Sequence, residues 1–378
     1  MILKNCGFSE LAERMKSRKN RIVIYGAGMI GQTIVPYFLE SAGLEEQVEC
    51  FVDMDVRKKG EKISVGGYEF EIHHPDLLKV PIEKLVVLIT NSKFYPVVEY
   101  LDKINSLDSV EGYIIPVIQL LEKEKEDSVV IRKIKPDRLI PRKIHYCWFG
   151  EKEMPKYLLC CMESWRNHCP DYEIICWNED NYDLNRISFA KEAYENEKYA
   201  LATDAVRLDI LYEHGGIYMD TDVSLMKNLD ILLHQPAFTG VEKWGNINTG
   251  GMMGAIPGHP MIKEMLDYRS RFHFILEDGS MNMETNGMYE TVPFIRHGMK
   301  LDGSLQYING VTVYPASVFH PYDYVSCEEK IREWTVSEHH FYGGWMNEKS
   351  FREREDTQKK YRNILKRMNS IGRYDDEW

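Results

Sequence analysis

The sequence predicts an α/β chain: a doubly wound parallel sheet first, a second α/β domain after it, and a charged helical tail. Three observations predict this. Short, nearly continuous apolar strands alternate with helical segments from Arg21 onward, the pattern of a sheet covered on both faces. Gly26-x-Gly28-x-x-Gly31 follows the first of these strands and opens a helix. In the second half, a helical run from Ala202 to His214 stops at Gly215-Gly216 and leads into a short strand ending in Asp220-Thr221-Asp222.

Composition bounds the rest. A length of 378 residues, 44% apolar and 28% charged, suits two globular domains, each able to bury a core. A formal charge of −12 excludes nucleic acid as the main ligand, because phosphate backbones need a basic face. It leaves room for a single small phosphate site. Met1-Ile2-Leu3-Lys4 leads into a polar, basic stretch rather than a signal-peptide apolar run, and no window holds the roughly 18 apolar residues of a membrane span. Eight cysteines are scattered with no Cys-x-x-Cys pair, which reads as reduced thiols in a cytoplasmic protein.

The first domain is expected over residues 1–120. Arg21–Tyr25 is a strand, Gln32–Ser41 a helix, Val48–Val52 a strand ending on Asp53, and Leu85–Thr90 a third strand. A helix from Phe94 to Ile104 and a strand around Tyr113–Ile115 complete the series. Gly26, Gly28 and Gly31 permit a tight turn and close approach of backbone to phosphate at a helix N-terminus, and Asp53 stands where an acid reads a ribose. This is the context of a Rossmann-like dinucleotide fold. The region resembles the small Rossmann-like domains of bacterial polysaccharide enzymes. Two readings stay open: a site for NAD, another nucleotide or a nucleotide sugar, and a scaffold without a ligand. An NAD-dependent oxidoreductase would need a catalytic partner domain of a different kind from the second half of this chain.

Residues 121–139 read as a charged connector. In the second domain, 140–347, Lys143–Phe149 is a strand and Pro155 opens a helix to about His168. Tyr172–Trp177 is a strand, followed by the helix carrying Asp204 and the strand reaching Asp222. Strands are expected at Ala237–Val241, Gly250–Ala255 and Gly310–Tyr314, a helix at Pro260–Phe272, and a closing segment at His339–Trp345. Residues 348–378 form a charged helical tail, whose basic part Lys359–Arg367 offers a peripheral membrane contact or simply a solvated face.

A lone Asp-x-Asp carries little, since Asp53-Met54-Asp55 is another. Context gives Asp220-Thr221-Asp222 its meaning: in extended backbone, alternate side chains share a face, so both carboxylates can hold a divalent cation and, through it, a diphosphate. Oxygen ligands suit Mn²⁺ or Mg²⁺. The alternative is a solvated turn at a strand end. Asp204 and Arg207, three apart on a helix, share a face and are at least a local ion pair.

Several further runs stand in order along the second domain. They are Ile140–Gly150 with Trp148, Cys169–Asn178, the block Asp204–Asp222, Asn248-Thr249-Gly250-Gly251-Met252, Gly258-His259-Pro260, and His339-His340-Phe341-Tyr342-Gly343-Gly344-Trp345. Over about 200 residues this ordered set resembles the family-32 glycosyltransferases, the DXD-motif proteins of capsular polysaccharide synthesis. The resemblance implies a GT-A-like fold, a nucleotide-sugar donor (UDP-linked), a divalent metal and retention of anomeric configuration. It implies Asp222 as a direct metal ligand, Asp220 acting through water or the ribose, and His340 as the last protein ligand. It places Asp204 and Arg207 on the donor sugar, and Trp148, Tyr218, Asn248 and Trp345 on the nucleotide and its phosphates. Gly344 stands where relatives often carry serine. No further carboxylate is marked as a nucleophile, so same-face attack with the departing phosphate as base is the expected route. A glycan or lipid-linked glycan of a bacterial surface is the acceptor this implies. The competitors are a host-protein-glycosylating effector, a non-catalytic nucleotide-sugar-binding module and the oxidoreductase. The oligomeric state is not legible.

Overall fold

The computed structural model describes residues 1–118, 129–150, 153–243, 245–284, 286–323, 328–343 and 348–369. The chain divides into two compact units, Met1–Lys125 with Phe351–Trp378, and Glu126–Ser350. The charged run over 121–127, expected as part of a connector, lies outside the described residues.

The first unit is built on seven strands: β1 (Ile2–Lys4), β2 (Arg21–Tyr25), β3 (Val48–Val52), β4 (Lys62–Val65), β5 (Tyr68–His73), β6 (Leu85–Ile89) and β7 (Glu111–Ile114). Their order is β1-β7-β6-β2-β3-β5-β4. Every neighbouring pair is parallel except the hairpin β4–β5 at one edge. The central strands are apolar throughout because both faces are covered: β6 is buried along its whole length. Helices α1 (Phe8–Arg18), α2 (Met29–Ala42) and α3 (Phe94–Leu101) supply apolar faces, and Leu11, Met15, Val35 and Leu39 join Ile22, Ile24 and Phe51 in one cluster. The hairpin was not expected from alternation; its signal is Gly66-Gly67, a two-residue turn between Val65 and Tyr68.

The glycine turn is a close-packed element. A Cβ on Gly31 would overlap the Gly26 carbonyl oxygen, so α2 presses directly on the turn that precedes it. Asp53 is engaged within the chain through both oxygens. Ala27 N–H donates to Oδ2 at 2.7 Å, Lys58 Nζ lies 3.3 Å from the same oxygen, and Asp55 N–H donates to Oδ1 at 2.9 Å. It therefore holds the glycine turn, where the sequence suggested a carboxylate facing a ribose.

The C-terminal helix (Glu348–Asn369) belongs, from Phe351, to this first unit. Tyr361 meets Phe94 edge-on at 4.5 Å between ring centroids and donates its hydroxyl to Ser92 O at 2.8 Å. Tyr361, Ile364 and Met368 are buried. Of the basic run, Arg367 pairs with Asp102 and Lys360 with Asp356. The apolar stripe that a membrane-lying helix would need is thus covered by protein. Among the described residues, no helix is long and apolar enough to cross a membrane.

In the second unit, β8 (Lys143–Cys147), β9 (Glu173–Trp177), β10 (Gly216–Tyr218), β12 (Ala237–Gly240), β13 (Met253–Ala255), β14 (Gln306–Ile308) and β15 (Val311–Tyr314) form a mixed sheet, order β14-β15-β12-β13-β10-β8-β9. The pairs β9–β8, β8–β10 and β12–β15 are parallel, and the remaining ones antiparallel. A ribbon of β11 (Val223–Leu225) and, later in the chain, Ser337–His339 lies outside that sheet. The longer helices are α4 (Lys156–His168), α5 (Ser188–Glu195), α6 (Tyr199–His214), α7 (Pro260–Arg269) and α8 (Asn286–Arg296). Trp165 of α4 is fully buried and donates its indole N–H to Val223 O at 2.7 Å, which ties α4 to the start of β11.

The Gly-Gly stop has a visible cause. Gly215 and Gly216 take φ of +59° and +95°, a region that excludes most side chains. The buried His145 ring bonds Gly215 O through Nε2 at 2.8 Å and accepts from Trp177 Nε1 at 3.1 Å. These contacts turn the chain from α6 straight into β10, and so bring Asp220–Asp222 to the C-terminal end of that interior strand.

Candidate active site

Asp220-Thr221-Asp222 does not continue β10 as a strand. It forms the turn between β10 and β11, with Val223 N–H donating to Asp220 O at 3.2 Å. The two carboxylates converge because the chain folds back between them, a correction to the expected strand alternation. Asp220 N–H donates to Gly250 O at 2.8 Å, which anchors the turn to the segment preceding β13.

The third member of the cluster is His339. Asp220, Asp222 and His339 each offer a ligand atom, and these atoms lie within 4.8 Å of one another. His339 Nε2 is 3.3 Å from Asp222 Oδ1. The expected ligand, His340, is committed elsewhere: its Nε2 is 2.9 Å from Ser224 Oγ and its Nδ1 is 3.3 Å from Glu338 Oε1. The reason is register. Ser337–His339 pairs antiparallel with β11, placing His339 opposite Val223, and successive side chains point to opposite sides. His339 therefore faces the Asp turn and His340 faces away.

Electrostatics favour an ionised Asp222 facing a protonated His339, and a cation bound here would displace that proton. Burial alone would raise the Asp222 carboxyl, but the facing His339 and the Tyr342 N–H, donating at 2.8 Å, hold it at about 2. Burial disfavours the His339 imidazolium, and the neighbouring Asp222 charge overrides this and raises it. His339 Nδ1 is buried without a hydrogen-bond partner. Two carboxylates and one imidazole are a donor set that fits Mn²⁺ or Mg²⁺.

Helix α6 supplies the second group. Arg207, 2% exposed, donates from Nη2 to Asp204 Oδ1, faces Asp220 Oδ1 at 3.4 Å, and reaches Thr249 Oγ1 from Nη1 at 3.4 Å. Its guanidinium lies over the Tyr218 ring, 5.0 Å from the centroid. Tyr218, fully buried, donates its hydroxyl to Asp220 Oδ1 at 3.1 Å. Burial pushes the Asp204 carboxyl up to about 6 even against the Arg207 charge. One pair on one helix face thus reaches the Asp turn and the 248–250 segment together.

The other predicted residues have different surroundings. Trp148 is half-buried at the end of β8, its N–H donating to Trp177 O at 2.9 Å. Asn248 is buried and its side chain accepts from Gly251 N–H at 3.1 Å, so it shapes the local turn. Trp345 lies outside the described residues. Gly26, Gly28, Gly31 and Asp53 belong to the first unit. The sequence reading missed Glu290 of α8, which is 2% exposed and bonded to Thr249. A charged residue inside the apolar run Met288–Ile295 was the available signal, since such groups are seldom buried without a partner.

Residues 155–239 match the family described as glycosyltransferase sugar-binding region containing DXD motif. Inositol phosphoceramide mannosyltransferase 3 of Schizosaccharomyces pombe is 32% identical over 139 residues, 36% of this chain and 38% of that protein. Mannosyl phosphorylinositol ceramide synthase SUR1 of Saccharomyces cerevisiae is 31% identical over 155 residues, 37% of this chain and 39% of that protein. The human alpha-1,4-N-acetylglucosaminyltransferase is 26% identical over 151 residues, 40% and 39% respectively. The chain thus spans under two fifths of the length of these curated relatives. Among solved structures, the galactosyltransferase LgtC is similar at 12% identity over 58% of this chain and 95% of that one, with a TM-score of 0.31. The family match contains Asp204, Arg207, Asp220 and Asp222, so over residues 155–239 the chain is similar to a glycosyltransferase sugar-binding region containing a DXD motif.

Proposed function

We propose that the second unit is a metal-dependent, retaining glycosyltransferase with a GT-A-like fold, moving a hexose or N-acetyl-hexosamine from a nucleotide sugar, UDP-linked, to a glycan or lipid-linked glycan. The observation that carries this reading is the convergence of Asp220, Asp222 and His339 within 4.8 Å, beside the Asp204–Arg207 pair, with both aspartates inside the DXD segment. A divalent cation held by these three residues would offset the negative charge that develops on a diphosphate leaving group.

The chain's own groups then have distinct tasks. Asp222, held at about 2, stays ionised at neutral pH. Tyr218 and Arg207 fix the Asp220 carboxylate in place. Asp204 presents a carboxylate to a sugar hydroxyl while Arg207 locks its orientation. Trp148 offers an indole face at the end of β8 to a nucleotide base.

Two carboxylates beside this centre are committed within the chain, which supports retention by same-face attack. Asp204 is bound by Arg207, and Glu290 accepts from Thr249 through both oxygens. Neither is a free nucleophile. A β-linked product from an α-linked donor would sink this assignment.

The names of the relatives support the sugar and acceptor classes: mannose and N-acetylglucosamine are transferred, and the fungal acceptor is a phosphoinositol lipid. Calorimetric titration of UDP into protein with Mn²⁺ tests the site. Binding that requires Mn²⁺ and disappears in Asp222→Asn is expected; metal-independent binding retained in that variant would refute the assignment.

A further inference from the structure

We propose that Glu290 is a positioning residue for Arg207, acting through Thr249, so that one buried carboxylate on α8 sets where the guanidinium meets the donor sugar. The proposal rests on the glycosyltransferase reading of the site and names a residue that the motif does not contain.

Hydrogen-bond polarity links the three residues in one direction. Glu290 Oε2 accepts from Thr249 N–H at 3.0 Å, and Oε1 accepts from the Thr249 hydroxyl at 2.5 Å. A hydroxyl has one proton. With that proton committed to Glu290, the Thr249 oxygen presents lone pairs to Arg207 Nη1, 3.4 Å away. The chain therefore runs from guanidinium to hydroxyl to carboxylate. Without an acceptor at Glu290, the Thr249 proton would turn toward a cationic donor.

Helix α8 grips the same segment at a second point. Ile247 N–H donates to Thr291 Oγ1 at 3.0 Å, and Thr291 in turn donates to Gly287 O at 2.6 Å. Between these two attachments and the Asp turn lies Gly250, against which both Asp220 and Arg207 pack. Thr249 is fully buried and Glu290 nearly so. The charged groups around Glu290 are Arg207, Asp204 and, from α7, Arg269. Burying a carboxylate is costly unless its bonds do something that an apolar side chain cannot; here they orient a hydroxyl that faces the site's arginine.

The test uses the full chain and four variants: Glu290→Gln, Thr249→Val, Thr249→Ser and the Glu290→Gln/Thr249→Val double. A glutamine cannot accept both Thr249 bonds, because its amide nitrogen only donates. Donor turnover is expected to fall about 100-fold in Glu290→Gln, as for a misplaced catalytic group, while the affinity for UDP with Mn²⁺, which lacks the sugar, falls far less because Tyr218 still holds Asp220. Thr249→Val falls equally, Thr249→Ser recovers most of the loss, and the double variant is no worse than either single because both break one chain. Additive losses, or parallel losses of UDP affinity and turnover, would overturn the proposal. Side-chain NMR of the Arg207 guanidinium tests positioning without turnover: its resonances shift in Glu290→Gln and Thr249→Val, and unchanged resonances would overturn positioning. A wild-type protein that neither binds UDP with Mn²⁺ nor turns over any donor refutes the glycosyltransferase reading, while the NMR comparison still decides the role of Glu290. If Glu290→Gln does not fold, Thr249→Val and Thr249→Ser carry the same comparison.

Discussion

Adding one methyl group at Gly250 should disable the site while leaving the fold standing. Gly250 has no left-handed φ, so alanine can adopt its backbone. A Cβ there would overlap the Asp220 carboxylate and lie 2.6 Å from Arg207 Nη1, against ordinary contact from 3.4 Å outward. The guanidinium must therefore retreat by about 0.8 Å, and the carboxylate with it. Neither is free to swing, because Tyr218 holds Asp220 and Asp204 holds Arg207. A displacement of about 1 Å in a positioned group costs on the order of 100-fold in rate, equivalent to about 3 kcal/mol of transition-state stabilisation. Overpacking adds roughly 1–3 kcal/mol of lost stability, which thermal unfolding would record. The assay is turnover of a nucleotide-sugar donor by Gly250→Ala with Mn²⁺, alongside its affinity for Mn²⁺. A variant that keeps turnover within about threefold of wild type would mean that neither Asp220 nor Arg207 acts where the structure puts them.

The same contacts predict other outcomes. His339→Ala should weaken Mn²⁺ binding by at least about tenfold, the scale of losing support around a metal, whereas His340→Ala should leave it near wild type; calorimetry distinguishes the two, and the reverse ranking would restore His340 as ligand. Burial pushes the Glu290 carboxyl from 4.5 up to about 7. A raised carboxyl binds more protons folded than unfolded, so its contribution is full below pH 4.5 and is lost as pH rises through 7. Denaturant unfolding should show wild type losing on the order of 3 kcal/mol relative to Glu290→Gln between pH 4.5 and 8; parallel pH profiles would contradict the burial argument. Tyr361→Ala should cost the first unit about 3–5 kcal/mol, because its ring is 4% exposed and packed on Phe94. Hydrogen exchange over residues 92–102 measures this, and unchanged protection would contradict the docking of the C-terminal helix.

What the sequence disclosed was local. Arg21–Tyr25, Val48–Val52 and the turn at Gly26 were legible because apolar runs and glycine spacing act over a few residues. Asp204, Arg207, Asp220 and Asp222 were legible because one helix, one stop and one turn bring them close along the chain. The choice between His339 and His340 was not, since it depends on the register of Ser337–His339 against β11, more than a hundred residues away. Glu290 was hidden for the same reason: its partner is Thr249, and their contact exists only once α8 is packed. Asp53 was marked by its spacing, but its engagement by Ala27, Asp55 and Lys58 was not legible there.

The central claim is that the Asp220–Asp222–His339 cluster serves transfer from a nucleotide sugar. It is tested most directly by donor hydrolysis, using purified protein and a panel of UDP-, GDP- and dTDP-sugars with Mn²⁺ or with chelator. The expected result is release of a nucleoside diphosphate from one donor, dependent on the metal and abolished by Asp222→Asn. Turnover that survives both chelator and Asp222→Asn would contradict it.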